Sequence, residues 1–210
     1  MKKLAIIGSG DLGQLIAYHA IADNHFEIAG YFDDFKTAGT RVGEHLILGN
    51  IEQVDRGFQN NQFDELLIAI GYKHFEQREN VFSAFKEKIP FATLIHSSCY
   101  IDPSCTVGAG SVLLPGCVFD YNVRIGENVL VNTGCCLAHD SSVDDHSFLS
   151  PSVAIAGFCK IGKCCNIGIN STVIDNIMIS NNIQTGGGTV VINDLSEKGL
   201  YVGNPARFIR

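Results

Sequence analysis

No stretch of this chain stays apolar for long. After the basic start Met1-Lys2-Lys3, the first hydrophobic run extends only from Leu4 to Ile7 before Gly8-Ser9-Gly10. A secretory signal needs roughly 7–15 apolar residues and a membrane-spanning helix about 20. Neither is present, so a cytoplasmic protein with no membrane partner is expected. Positive charge is also scarce, with 15 Lys and Arg against 22 Asp and Glu, a net charge of -7 over 210 residues. That balance argues against nucleic acid as a partner. It leaves room for a small anionic ligand, because a helix N-terminus can bind phosphate on an acidic protein. Paired C-x₂-C elements are missing too, despite 8 cysteines; Cys135-Cys136 and Cys164-Cys165 are vicinal pairs. No metal site is expected from such spacings.

What is present is a sixfold repeat. Stepping by six from Ile95 gives Ile95, Ile101, Val107, Leu113, Phe119, Ile125, Val131, Leu137, Val143, Leu149, Ile155, Ile161, Ile167, Val173 and Ile179, all large and apolar. In a chain that is 46% hydrophobic, such a run is not a chance event. Thr185 breaks it and Val191 resumes it. Four residues after each of these, from Cys99 to Ser171, stands Cys, Ser or Val, and 6 of the 8 cysteines fall at this position. Free Cys behaves as a small hydrophobe, which suits the tight interior corners of a narrow prism. The residue after the large aliphatic is often Gly, Asp or Asn (Gly108, Asp120, Gly126, Gly162), and left-handed turn angles are expected there. Short strands joined by tight turns, three hexads to a rung, make a left-handed parallel β-helix of about five rungs.

Residues 1–93 read as a separate Rossmann-like α/β domain. Lys3–Ile7, Phe26–Phe32, Leu46–Leu48 and Leu66–Ile70 suit buried strands, and Gln14–Ala22 and Gln77–Lys88 suit helices. Gly8-Ser9-Gly10-Asp11-Leu12-Gly13 lies between strand and helix, with Asp33-Asp34 about 20 residues on, the context of a dinucleotide fingerprint. About 90 residues supply only half of a two-lobed dinucleotide fold, so a nucleotide diphosphate fits better than NAD; a purely structural tight turn is the plain alternative. The expected division is 1–93 for nucleotide-sugar binding, 94–195 for the β-helix and 196–210 as a carboxy-terminal tail.

Within the repeat, His139 lies two residues after Leu137 and so points off an edge of the prism, with Asp140 beside it. Acyl transfer from a thioester to an amine or hydroxyl needs a group that takes a proton, and imidazole suits that near neutrality. Backbone N–H groups near Gly157 and Gly187 are candidates for holding a developing oxyanion and the pantetheine amides.

The combination of the glycine-rich half-Rossmann domain ending in Phe32-Asp33-Asp34, Ala69-Ile70-Gly71, the hexads carrying His139-Asp140, Gly186-Gly187-Gly188 and the closing Gly199–Ala206 resembles one bacterial family. It comprises the sialic-acid O-acetyltransferases and the nucleotide-amino-sugar N-acetyltransferases, including those that make N-acetylated bacillosamine, viosamine or perosamine. The resemblance implies a homotrimer that uses acetyl-CoA as co-substrate and needs no metal. It implies His139 as general base on the sugar amine with Asp140 as its partner, and cofactor contacts at Gly157, Ile169, Gly187 and Phe148. It also implies substrate contacts at Gly8, Ser9, Gly10, Gly13, Asp33, Asp34, Gly71 and Lys73, for a sugar linked to UDP, dTDP or GDP. The sequence departs from the family pattern twice. Phe148 stands where relatives often have a second histidine, with His146 two residues before it. Tyr72-Lys73-His74 replaces an Asn-containing turn, which leaves a nucleotide other than UDP open beside it.

Two rival readings keep the fold. A zinc carbonic anhydrase requires three converging histidines, whereas His96, His139 and His146 occupy three different hexad positions. A non-catalytic scaffold, in which the repeats trimerise and the first domain senses a nucleotide, is the other alternative, and replacement of His139 separates it from an enzyme. The expected activity is acetyl transfer to the 4-amino group of a nucleotide-linked 4-amino-4,6-dideoxy sugar for surface glycan biosynthesis; O-acetylation of sialic acid or a related sugar is the alternative.

Overall fold

The computed structural model describes all 210 residues, which divide into two units, Met1–Leu94 and Ile95–Arg210. In the first unit, β1 (Lys3–Ile7), α1 (Asp11–Ala22), β2 (Glu27–Phe32), β3 (Arg41–Val42), β4 (His45–Gly49), α2 (Val54–Gln59), β5 (Glu65–Ile68) and α3 (Phe75–Phe85) follow one another. The sheet order is β3-β4-β2-β1-β5, parallel except where β3 pairs antiparallel with β4. Alternation of strand and helix forces the crossovers that make such a sheet parallel. Ile7, Phe32, Leu66, Ile68, Val81, Phe82 and Phe85 share one core cluster, so α3 buries its apolar face on the sheet. At the carboxyl end of β5, the guanidinium of buried Arg78 donates to the carbonyls of Ile68 (3.1 Å) and Ile70 (2.8 Å). That pins the segment leading to Gly71.

The second unit is a three-sided parallel β-helix. Each hexad makes a two-residue strand and a four-residue turn, and each strand pairs with the one 18 residues away: Leu130–Val131 lies between Val112–Leu113 and Phe148–Leu149. The residues of the sixfold series point inward, and from Leu113 to Ile179 all are buried in a single stack. Burying one such side chain contributes roughly 1.5–3 kcal/mol, and the repetition of that term holds up a prism of very short strands. Thr185, the polar interruption, is buried and accepts the Gly168 N–H at 2.8 Å through its hydroxyl.

The left-handed turn residues are not where the glycines suggested. From Gly110 to Gly188 every sixth residue has positive φ, among them Asn122, Asp140, His146 and Phe158, and these stand three residues after the large aliphatic rather than one. Glycine directly after the aliphatic answers to crowding instead. A Cβ on Gly108 would lie 2.5 Å from the Gly126 carbonyl carbon of the next rung, and one on Gly126 would lie 2.7 Å from Asp145 N. The small-residue position also does more than fill space. Ser111 and Ser147 donate to the Gly126 and Gly162 carbonyls at 2.8 Å, and Cys117, Cys135 and Cys165 donate through sulfur to Asn132, Ser150 and Ser180. Each bonded carbonyl is 15 residues on, in the turn of the next rung.

Residues 196–210 are not a loose tail. Gly199–Val202 adds to the sheet in parallel beside Ile183–Thr185, and Arg207–Phe208 then pairs antiparallel with it. Tyr201 joins the coil's core cluster, which anchors the segment.

Candidate active site

In the β-helix, the corner between the strand Cys136–Leu137 and the strand Ser142–Val143 presents His139 with 47% of its side chain exposed. Its Nδ1 faces Asp140 Oδ2 at 3.2 Å. The second carboxylate oxygen accepts from Asn122 Nδ2 at 2.7 Å, one rung below. Those two contacts, the one from Asn122 first and the one from His139 second, hold the Asp140 carboxyl below the ordinary range, so it is ionised at neutral pH. One rung above, Gly157 leaves the space the imidazole occupies: a Cβ there would lie 2.8 Å from His139 Cε1. The Phe158 ring stands edge-on to the imidazole, centroids 5.0 Å apart, and is 53% exposed. Phe158 holds this position at φ +59°, a conformation that costs a bulky residue about 1–3 kcal/mol. Neither Asn122 nor Phe158 was picked out from the sequence. Stepping by one rung of 18 residues, rather than by one hexad, finds Asn122 from Asp140 and Gly157 from His139.

The other expected cofactor residues lie elsewhere. Ile169 and Gly187 stack on one another at a different corner, where a Cβ on Gly187 would meet Ile169 Cγ2 at 3.0 Å. Phe148 sits within the strand Phe148–Leu149 and is only 8% exposed, leaving little of its ring for a ligand. His146 is buried on a third corner, its Nδ1 within 3.0 Å of Asn128 Nδ2. It therefore stands apart from His139, and the three histidines of the coil do not converge.

In the first unit, a cavity of about 410 Å³ opens at the carboxyl ends of β1, β2 and β5, lined by residues that include Gly8, Asp33, Asp34, Phe35, Ile70 and His74. In open parallel sheets this is where ligands bind. The glycines divide the work. Gly8, at φ +99°, would press a Cβ to 2.9 Å from the Ala69 carbonyl oxygen, and Gly13 packs against Gly8, whereas Gly10 has open space around it. Asp33 Oδ2 accepts from Ser9 N (2.9 Å) and Ser9 Oγ (2.5 Å), and Asp33 Oδ1 from Phe35 N (2.9 Å). Partial burial opposes its charge, but the Ser9 and Phe35 bonds and the nearby Lys36 hold the carboxyl below its ordinary range. Asp34 accepts the Ile51 N–H at 2.8 Å. Both aspartates are thus partly committed to shaping the loop. Lys36, overlooked in the sequence, places Nζ 2.8 Å from Ser9 Oγ and brings a positive charge to the glycine loop. Phe35 is 97% exposed at the cavity mouth. Of the expected substrate residues, Gly8, Asp33 and Asp34 line the cavity; Ser9, Gly10, Gly13, Gly71 and Lys73 do not, though Ile70 and His74, next to the last two, do.

Residues 3–85 match the PglD N-terminal domain family. The acetyltransferase domain of PglB from Neisseria gonorrhoeae, solved with acetyl coenzyme A, superposes with a TM-score of 0.90 at 26% identity, over 99% of each chain. A perosamine N-acetyltransferase from Caulobacter crescentus has the same fold, with a TM-score of 0.90 at 24% identity over 100% of this chain and 98% of that one. The UDP-3-O-acylglucosamine N-acyltransferase of Bordetella pertussis is 28% identical over 97 residues, 46% of this chain, and the match takes in 26% of that protein, about a quarter of its length. Residues 3–85 are thus similar to the PglD N-terminal domain, and the chain as a whole is similar in structure to the PglB acetyltransferase domain, which has been solved with acetyl coenzyme A.

Proposed function

We propose that the protein transfers the acetyl group of acetyl-CoA to the amino group of a nucleotide-linked 4-amino-4,6-dideoxy sugar. The observation that carries this reading is the exposed His139 imidazole paired through Nδ1 with an ionised Asp140. A carboxylate on Nδ1 favours the tautomer with its proton there, leaving the Nε2 lone pair to accept one from the attacking amine. Bound acetyl-CoA supplies an activated thioester carbonyl. His139 Nε2 takes the amine proton as nitrogen attacks that carbon, then returns it to the departing thiolate. The Gly157 N–H has no partner among the turn hydrogen bonds in which Ala156 and Phe158 take part, so it is free to donate to the carbonyl oxygen as charge builds there.

The nucleotide half of the substrate belongs to the cavity of the first unit. There Phe35 offers a face for the base, and the glycine loop that reaches the cavity at Gly8, with Lys36 at Ser9 Oγ and open space at Gly10, suits a diphosphate. A homotrimer is supported by uncovered apolar side chains on the coil, with Tyr100, Val118, Tyr121 and Met178 all exposed. No helix is long and apolar enough to cross a membrane. All eight cysteines are thiols rather than disulfides, which suits the cytoplasm where acetyl-CoA is available.

The test is to incubate the protein with acetyl-CoA and a panel of UDP-, dTDP- and GDP-linked 4-amino-4,6-dideoxy sugars, with sialic acid as counter-substrate, following release of free CoA thiol. One of the amino sugars is expected to turn over. His139→Ala is expected to lower kcat by about 10²- to 10⁴-fold, the usual weight of a general base, with melting temperature and assembly unchanged. Undiminished turnover in that variant, or acetylation of sialic acid alone, would overturn the reading.

A further inference from the structure

We propose that Asn122 is a positioning residue for acetyl transfer, holding the Asp140 carboxylate in the orientation that fixes the His139 ring. The proposal rests on the reading of His139 as the base. Asp140 has two oxygens and two partners: His139 Nδ1 on one, Asn122 Nδ2 on the other. A carboxylate held at one oxygen alone can rotate about its Cβ–Cγ bond; held at both, it fixes the plane of the imidazole. Asn122 is itself fixed on both sides. Its side-chain oxygen accepts from Arg124 Nη2 at 3.3 Å, and its backbone N–H donates to Ser104 Oγ at 2.7 Å, one rung lower still. Ser104 Oγ in turn donates to Asp102 Oδ1 at 2.5 Å. The orienting chain therefore runs down the corner column, through side chains spaced by one rung, and ends at the ring that moves the proton. Facing Asp140, the charged groups are His139 on its own turn and Arg124 on the strand one rung below.

The plain alternative is that Asn122 is there for its backbone. It has φ +58°, a conformation asparagine tolerates well, and many of its counterparts up the coil are asparagine. The two roles come apart in a glycine variant, because glycine meets the turn's requirement at least as well and removes only the side chain. Asn176 supplies the control. It stands in the same corner column at φ +60°, two rungs above Asp140, and its amide reaches only Asp175.

The experiment compares Asn122→Gly, Asn176→Gly and His139→Ala in the full chain, using acetyl-CoA and whichever nucleotide-linked amino sugar of the panel the parent protein turns over. Asn122→Gly is expected to lower kcat by about tenfold or more, the scale on which a misplaced catalytic group is felt. KM for acetyl-CoA should stay within about twofold and melting temperature should match that of Asn176→Gly. The acid limb of its kcat/KM profile should move to lower pH, because a carboxylate no longer held against the ring stabilises the imidazolium less. Asn176→Gly should keep full turnover. If Asn122→Gly matches Asn176→Gly in kcat and pH profile while His139→Ala is inactive, Asn122 serves the turn alone; this proposal falls and the base assignment stands. If His139→Ala retains turnover, both fall. A loss in Asn122→Gly that tracks a drop in melting temperature also overturns the positioning role.

Discussion

At the scale of single residues, the proposed proton transfer depends on how little room the His139 imidazole has. Gly157→Ala would put a methyl group 2.8 Å from His139 Cε1 and turn the ring off its carboxylate. Kinetics of that variant should show kcat reduced by about 10²-fold, the order of effect of a 1 Å misplacement, with the coil's melting transition little changed. The pH dependence follows from Asp140. Its folded-state value is lowered, first by Asn122 and then by His139. It therefore stays charged as pH falls through the range, between about pH 5 and 8, in which imidazole changes charge. A profile of kcat/KM should therefore show no break from this carboxylate at or above the ordinary carboxylate range, about pH 4. In the first unit, Asp33 receives both donors of Ser9. Asp33→Asn keeps the shape but loses that acceptor, so KM for the nucleotide sugar should rise by about tenfold while KM for acetyl-CoA holds. Asp33 is likewise lowered in the fold, so its contribution to stability is complete above about pH 4 and is lost as pH falls through the folded value. Thermal melts between pH 6 and 8 should show no change from this group.

At the scale of the repeating element, each corner small residue joins two rungs. Ser147 accepts the Cys165 N–H at 3.0 Å and donates to the Gly162 carbonyl at 2.8 Å, fully buried. Ser147→Ala orphans both groups and should cost about 1–3 kcal/mol, visible in denaturant melts, whereas Ser147→Cys should cost less, since cysteine makes the same upward bond at Cys135 and Cys165. Here the sequence was legible in one respect and misleading in another. The sixfold run of aliphatics gave the coil, and the recurrence of Cys and Ser marked the corners. The glycines after the aliphatic suggest left-handed turns, but Gly108 and Gly126 record close approach between rungs. The positive-φ column admits Asp140, His146 and Phe158, so composition does not reveal it. The same blindness hid Asn122 and Lys36: each matters through a neighbour, 18 residues away for Asn122 and across a folded loop for Lys36. A hexad or strand-helix pattern lists what a residue is, not what it touches.

For the whole molecule, the proposed assembly needs an apolar face, and the coil offers one. Val118 is exposed on a strand of the sheet that also carries Tyr100 and leads into the His139 corner. Val118→Glu would place a charge on that face, and sedimentation should then report a smaller species than the parent protein if the face lies between protomers. Parallel coils carry a liability of a different kind, because the terminal rung presents unpaired amide and carbonyl groups on which a further chain can crystallise strand by strand. In this protein the segment after the coil meets that hazard directly: Val190 N donates to the Gly203 carbonyl, Ala206 N donates to the Val190 carbonyl, and Arg207–Phe208 runs against the grain of the sheet. A reversed strand two residues long is a poor seed for a parallel stack, so the closing hairpin works as a plug against fibril growth. Stripped of it, the protein should keep its coil yet thicken into filaments under conditions where the intact chain stays dispersed.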